Sequence, residues 1–127
     1  MTCVWDSLIR GIREDEVTRR VIGKYAGPRE FVCLLKKANC ITTGVRWQDE
    51  QLSKRQLEEN FEWVRDYDVG GIVNGHLTSA ADPFILLICH ILQVEVSMSI
   101  NGSRVRMLPS APPRYTIALR AVGGHMQ

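Results

Sequence analysis

Apolar residues fill the segment from Phe84 to Leu92 at every position except His90. A helix that is apolar on all sides is buried in a protein core. The run is too short to cross a membrane, because a spanning helix takes about 20 apolar residues. Asp82 is a favoured N-cap residue and Pro83 suits the first helical position. The pattern therefore predicts a buried central helix that starts near residue 83.

From Val94 the apolar period changes to two, which is typical of a strand with one buried face. The apolar positions alternate with polar ones, in the order Val94, Glu95, Val96, Ser97, Met98, Ser99 and Ile100. Asn101-Gly102 follows, and this pair is a strong signal for a β-hairpin. We predict that the strand turns there into a second one, from Ser103 to Leu108.

Alternating apolar residues predict a third strand from Arg114 to Ala121. Gly123-Gly124 ends this strand, and the last three residues can begin one more. We expect the strands to form a small antiparallel sheet beside the central helix.

The first half of the chain shows helical spacing of its apolar residues. It predicts four helices: one from Cys3, one from about Asp15 to Tyr25 that Gly27 stops, one from Pro28 to about Asn39, and one that begins at a Ser53 to Gln56 capping box. Residues 41–52 look irregular, with Trp47 as their anchor in the core. Helices followed by strands indicate an α+β fold, and the length fits a single domain over residues 1–127.

The formal net charge of +2 is too small to indicate a nucleic-acid partner by itself. The C-terminal part carries Arg104, Arg106, Arg114 and Arg120, without a lysine run or interleaved aromatic residues. We therefore expect a solvated strand face and no nucleic-acid binding. Neither a secretion signal nor a membrane span is evident, so we expect a reduced, cytoplasmic setting and no membrane partner.

The four cysteines lack the CxxC and Cys/His spacings of zinc sites. We expect neither a metal nor a cofactor. Cys33 and Cys89 lie within apolar helical runs, which predicts buried thiols.

Cys3 is a candidate nucleophile because a thiol in the first turn of a helix has its thiolate stabilised by the helix dipole. His125 is the candidate base, since the two glycines before it leave the backbone free to present the ring. Gln127, two residues on, would orient that ring. The plainer interpretations are a small residue at a helix start and a solvated terminal histidine. His76 competes for the role of base, and His90 is expected to be a hydrogen-bonded core residue.

The order of these pieces resembles the ovarian-tumour (OTU) family of cysteine proteases, most of which are deubiquitinases. Residues 3–8 resemble that family's nucleophile helix, residues 81–96 its central helix and strand, and residues 117–119 with 124–127 its closing strand and histidine. Gln127 stands where the family commonly has Asn or Asp. The family also usually has an Asp three residues before the Cys, whereas this chain begins two residues before Cys3.

The resemblance implies a papain-like fold and cleavage after the Gly-Gly tail of ubiquitin or a ubiquitin-like protein. Catalysis would use Cys3, His125 and Gln127, while Trp5 or the Gly70-Gly71 loop would wall the channel for the two glycines. The compact size is similar to viral members, which would place the protein in the host cytoplasm. Two alternatives stay open: a viral polyprotein-processing protease, and a catalytically weak domain that binds a protein or, through its C-terminal arginines, an acidic surface or RNA.

Overall fold

The computed structural model describes residues 4–69, 82–100, 102–122 and 125–126. Five helices and six strands occur in these residues. In chain order they are α1 (Val4–Gly11), α2 (Glu16–Val21), α3 (Pro28–Lys37), β1 (Arg46–Trp47), β2 (Glu50–Gln51), α4 (Lys54–Asp66), α5 (Asp82–Leu92), β3 (Glu95–Ile100), β4 (Ser103–Leu108), β5 (Thr116–Val122) and β6 (His125–Met126).

Helix α5 is the buried centre, as the apolar run predicted. Every side chain from Phe84 to Cys89 is buried, and so is that of Leu92. The helix ends at Leu92, and Gln93, with a φ of 54°, reverses the chain into β3. The Cys89 thiol lies 3.6 Å from the Met107 carbonyl oxygen, so α5 folds back along the hairpin. Helix α5 therefore runs antiparallel to β3, and its first turn lies at the carboxyl end of that strand.

The predicted hairpin is confirmed. Strands β3 and β4 pair antiparallel with Ile100 opposite Ser103, which leaves a two-residue turn. Gly102 has a φ of 87°, a conformation that glycine adopts without steric cost.

The prediction of an antiparallel sheet is wrong at β5, which pairs parallel with β3. Strand β4 ends beside the start of β3, and residues 109–115 then cross that end of β3 to its other side. Backbone hydrogen bonds fix the crossing: the Arg114 amide donates to the Gln93 carbonyl (2.9 Å) and the Glu95 amide to the Tyr115 carbonyl (3.1 Å). Because β5 begins beside the start of β3, the two strands run in the same direction. The sheet is mixed, in the order β2-β1-β4-β3-β5-β6, and the α+β class is confirmed.

Two predictions in the first half need correction. Helix α2 ends at Val21 rather than near Tyr25, because Gly23 takes a φ of 109° that a helix cannot continue. Gly27 is then the N-cap of α3 rather than the stop of α2. Residues 41–52 contain β1 and β2, and Trp47 packs against the core as expected. The capping box at the start of α4 is confirmed in both directions.

The helices cover one face of the sheet. The inward residues of the three long strands are buried: Val96, Met98, Met107, Ile117 and Leu119. On the opposite face, Arg104, Arg106, Thr116, Ala118 and Arg120 are exposed. No helix among the described residues is long and apolar enough to cross a membrane.

Candidate active site

Helix α1 packs against β5. A Cβ at Gly11 would stand only 2.5 Å from Cγ2 of Ile117, so the close contact there depends on glycine. Two residues later, the Arg13 amide donates to the Tyr115 hydroxyl at 3.0 Å. As the chain advances from Gly11 to Arg13, its contact moves from Ile117 back to Tyr115, so the two segments run in opposite directions. The start of α1 therefore lies toward the carboxyl end of β5.

The packing of Trp5 agrees with this placement. Its ring centroid lies 5.1 Å from that of Phe84 and 6.1 Å from that of Phe31. Phe84 belongs to the first turn of α5, which lies at the carboxyl end of β3. Because β5 runs parallel to β3, the first turns of α1 and α5 share one end of the sheet with the end of β5.

Strand β6 lies at this same end. It pairs antiparallel with β5 at its last residues, with Val122 opposite His125 and Ala121 opposite Met126. The backbone of the predicted base and the start of the predicted nucleophile helix are thus brought to one end of the sheet. Cys3, Gln127, Gly70 and Gly71 lie outside the described residues, as does the side chain of His125.

The predicted role of Trp5 in a substrate channel is not supported. Its side chain is fully buried, so the ring is a core residue that holds α1 against α3 and α5. The indole Nε1 is buried and has no hydrogen-bond partner among the described residues.

Three other cysteines differ in access. Cys89 is buried as predicted, and burial raises the pKa of its thiol to about 12. Burial also raises the pKa of the half-buried Cys40. Both are protonated at neutral pH, so neither is a ready nucleophile. The prediction for Cys33 is wrong: it is exposed, because α3 turns Phe31, Val32 and Leu35 toward the core and the position between them outward.

His90 lies apart from the candidate site. It sits in the last turn of α5, close to the start of β3, whereas β6 pairs with the last residues of β5. The residue is half-buried, and burial lowers its pKa. Its Nδ1 has no hydrogen-bond partner among the described residues, so the expected side-chain hydrogen bond is not found there. The competing His76 lies outside the described residues.

Asp82 is a titratable residue that sequence reasoning assigned only to helix capping. It is the first residue of α5, whose first turn packs against Trp5 of α1 through Phe84. Burial raises the pKa of its carboxyl group to about 6. A carboxyl group that is partly protonated near neutral pH beside a proposed catalytic site is a candidate participant in it.

The raised pKa of Asp82 predicts a pH dependence of folding stability. The folded chain holds this proton more strongly than the unfolded chain, so the free energy of unfolding should fall as pH rises from about 4 to 6 and stay lower above that. The full shift would correspond to about 3 kcal/mol, but the group is partly solvated, and we expect about 1 kcal/mol.

Urea unfolding of the native protein and of Asp82→Asn at pH 4.5 and pH 7 measures this contribution. The variant should lack the loss of about 1 kcal/mol between the two pH values. Carboxyl groups such as Asp15, whose pKa is lowered chiefly by the Thr18 backbone amide, act in the opposite direction in both proteins and cancel in the comparison. Equal pH dependence in the two proteins would contradict the assignment.

In the described parts of the chain, no three His, Cys, Asp or Glu side chains cluster as metal ligands would. Comparisons with protein-family models, curated proteins and solved structures found no significant match to this chain.

Proposed function

We propose that this chain is a thiol hydrolase of the ovarian-tumour type, which cleaves the isopeptide bond after the Gly-Gly tail of ubiquitin or a ubiquitin-like protein. The proposal rests on two placements: β6 pairs with the last residues of β5, and the end of α1 packs at the amino end of β5, which directs the start of α1 toward β6. These two elements adjoin or contain the candidate nucleophile and base, which are 122 positions apart in the sequence (125 minus 3).

In this mechanism Cys3 supplies the nucleophile. Its thiolate, formed as His125 takes the proton, attacks the carbonyl carbon of the isopeptide bond. Free amides at the start of α1 stabilise the oxyanion of the tetrahedral intermediate. His125 returns the proton to the leaving lysine amine, and water then hydrolyses the thioester to release the modifier and the free thiol.

The remaining cysteines support an assignment to Cys3 by their surroundings. Cys40 and Cys89 have raised pKa values because they are buried. Cys33 is exposed, but it lies in the middle of α3, where the positive end of the helix dipole does not act on it. Cys33 is therefore the matched control thiol: accessible, but outside the first turn of a helix.

The test is reaction of the full chain with ubiquitin that carries a thiol-reactive electrophile in place of its C-terminal carboxylate. We expect one covalent ubiquitin on the native protein and on Cys33→Ala, and none on Cys3→Ala. Intact-mass spectrometry counts the adducts, and peptide mapping locates the modified cysteine.

An adduct that persists in Cys3→Ala and disappears in Cys33→Ala would overturn the proposal. Absence of any adduct with folded native protein would also count against cleavage after a ubiquitin tail. If Cys3 then reacts faster than Cys33 with a small alkylating agent at pH 7, the thiol is activated and acts on another substrate, such as a polyprotein junction.

A further inference from the structure

The face of the sheet that points away from the helices is basic. Residues directly opposite each other on paired strands point to the same side, so the observed register decides which side chains share this face. Its charged members on the described strands are four arginines and one glutamate: Arg46, Arg104, Arg106, Arg120 and Glu95. The face therefore has a large excess of positive charge, although the whole chain has a net charge of only +2.

Of the four arginines in the C-terminal part, two bind carboxylates of described residues and two do not. Arg106 donates to Glu95 through Nε (3.2 Å) and Nη2 (2.5 Å), and Arg114 donates to Asp15 (3.1 Å) and to the Leu92 carbonyl (2.9 Å). Arg104 and Arg120 have no carboxylate partner among the described residues, and both are exposed. These two guanidinium groups are therefore available to an external anion.

The two available arginines lie on either side of one serine. Ser99 on β3 is opposite Arg104 on β4 and opposite Arg120 on β5. The backbones of Arg104 and Arg120 lie two strand spacings apart, a distance of about 10 Å. Between them runs an open groove of about 190 Å³, floored by Ser97, Ser99 and Ala118. Two guanidinium groups beside serine hydroxyls offer hydrogen-bond donors that suit the oxygens of a phosphate group.

We infer that this groove binds the phosphodiester backbone of a nucleic acid, without reading its sequence. The small floor residues let a phosphate approach the sheet, and Arg104 and Arg120 hold it from two sides. No Phe, Tyr or Trp lies on this face of β3, β4 or β5, so these strands offer no platform for stacking bases. Contacts to phosphates alone carry no sequence information.

The surface fits nucleic acid better than an acidic protein. Protein interfaces depend on a central cluster of buried apolar or aromatic anchors. The large hydrophobic side chain that is exposed in the described part of the chain is Ile41, which belongs to the loop after α3 and not to these strands. Nucleic-acid interfaces are more polar and far more positively charged, as this face is.

The expectation that nucleic acid is not a partner rested on net charge and on the absence of a lysine run. The fold changes that premise. It brings Arg104 and Arg120, which are 16 positions apart (120 minus 104), together on one face, and it places Arg106 and Arg114 in salt bridges with carboxylates. This inference does not depend on the proposed hydrolase activity, because the groove lies on the face opposite α1.

Fluorescence anisotropy of the full chain with labelled oligouridine, double-stranded RNA and double-stranded DNA of about 20 nucleotides per strand tests the inference. We expect binding to all three that weakens with salt between about 50 and 200 mM. Arg104→Gln/Arg120→Gln should weaken binding about tenfold at the lower salt and reduce the salt slope by about 2.

The matched control is Arg20→Gln/Arg29→Gln. It removes the same charge from two exposed arginines on α2 and α3 that have no ion-pair partner among the described residues. We expect less than about a twofold change from it. A second variant, Ser99→Glu, places a carboxylate between Arg104 and Arg120 and should weaken binding without removing either arginine.

Three results would overturn the inference. One is no binding by the native protein at about 0.1 mM and low salt, since non-specific nucleic-acid binding is ordinarily tighter than that. Another is equal weakening in the control and in the groove variants. The third is tighter binding to polyglutamate than to any nucleic acid, which would assign the face to an acidic protein instead.

Discussion

Replacing Phe84 with alanine is expected to lower the free energy of unfolding by about 3–5 kcal/mol. The side chain is fully buried in the first turn of α5. Its ring lies 5.1 Å from that of Trp5, 5.7 Å from that of Trp63 and 5.1 Å from that of Tyr67, all edge-on. Truncation leaves a cavity among three rigid rings from two other segments, α1 and the end of α4, and these rings cannot move in to fill it. A domain of this size has only about 5–15 kcal/mol to lose.

Urea unfolding followed by far-UV circular dichroism measures the loss. Phe84→Leu keeps much of the apolar volume and should lose less than about half as much. Ile41→Ala is the surface control, since Ile41 is 40% exposed, and it should change stability by less than about 0.5 kcal/mol. A loss below about 1 kcal/mol for Phe84→Ala would show that α5 is not the centre of the core.

The centre of the fold could be predicted because its signals are local. An uninterrupted apolar run, a switch to period two and Asn101-Gly102 each need only a few neighbouring residues to be recognised. The structure accordingly has α5, β3 and the β3–β4 turn where these signals place them.

The direction of β5 could not be predicted, because it depends on a crossing and not on a pattern. The strand's own alternation is the same whether it pairs parallel or antiparallel. Hydrogen bonds between residues 114–115 and the segment from the end of α5 to the start of β3 decide it. Likewise, the exposure of Cys33 follows from its angular position on α3, which differs by one residue from the buried Val32.

The candidate site was predicted from the local context of Cys3, His125 and Gln127 and from a resemblance, and its placement depends on the same long-range contacts. Nothing near Cys3 in the sequence indicates that α1 packs along β5. The close approach of Gly11 to Ile117 and the hydrogen bond from Arg13 to Tyr115 establish that packing. Parallel pairing then has a consequence for function: it carries the end of β5, and with it β6, to the end of the sheet where α1 and α5 begin. If β5 were antiparallel to β3, it would finish at the opposite end of the sheet, far from the start of α1.

If the ends of the chain form the proposed catalytic pair, His125→Asn should lower the rate of ubiquitin-tail cleavage by about 10²–10⁴-fold, which is the usual contribution of a positioned base. A fluorogenic ubiquitin amide measures the rate. His76→Asn, which removes the competing candidate, and His90→Asn, at the other end of α5, should change it by less than about threefold. The pH profile separates a base from a structural residue: without the base, the rate should climb with pH up to the ordinary thiol pKa of about 8.5, because hydroxide then forms the thiolate. A uniform loss at every pH, or a larger loss in His76→Asn, would place the base elsewhere and would leave β6 as a structural strand only.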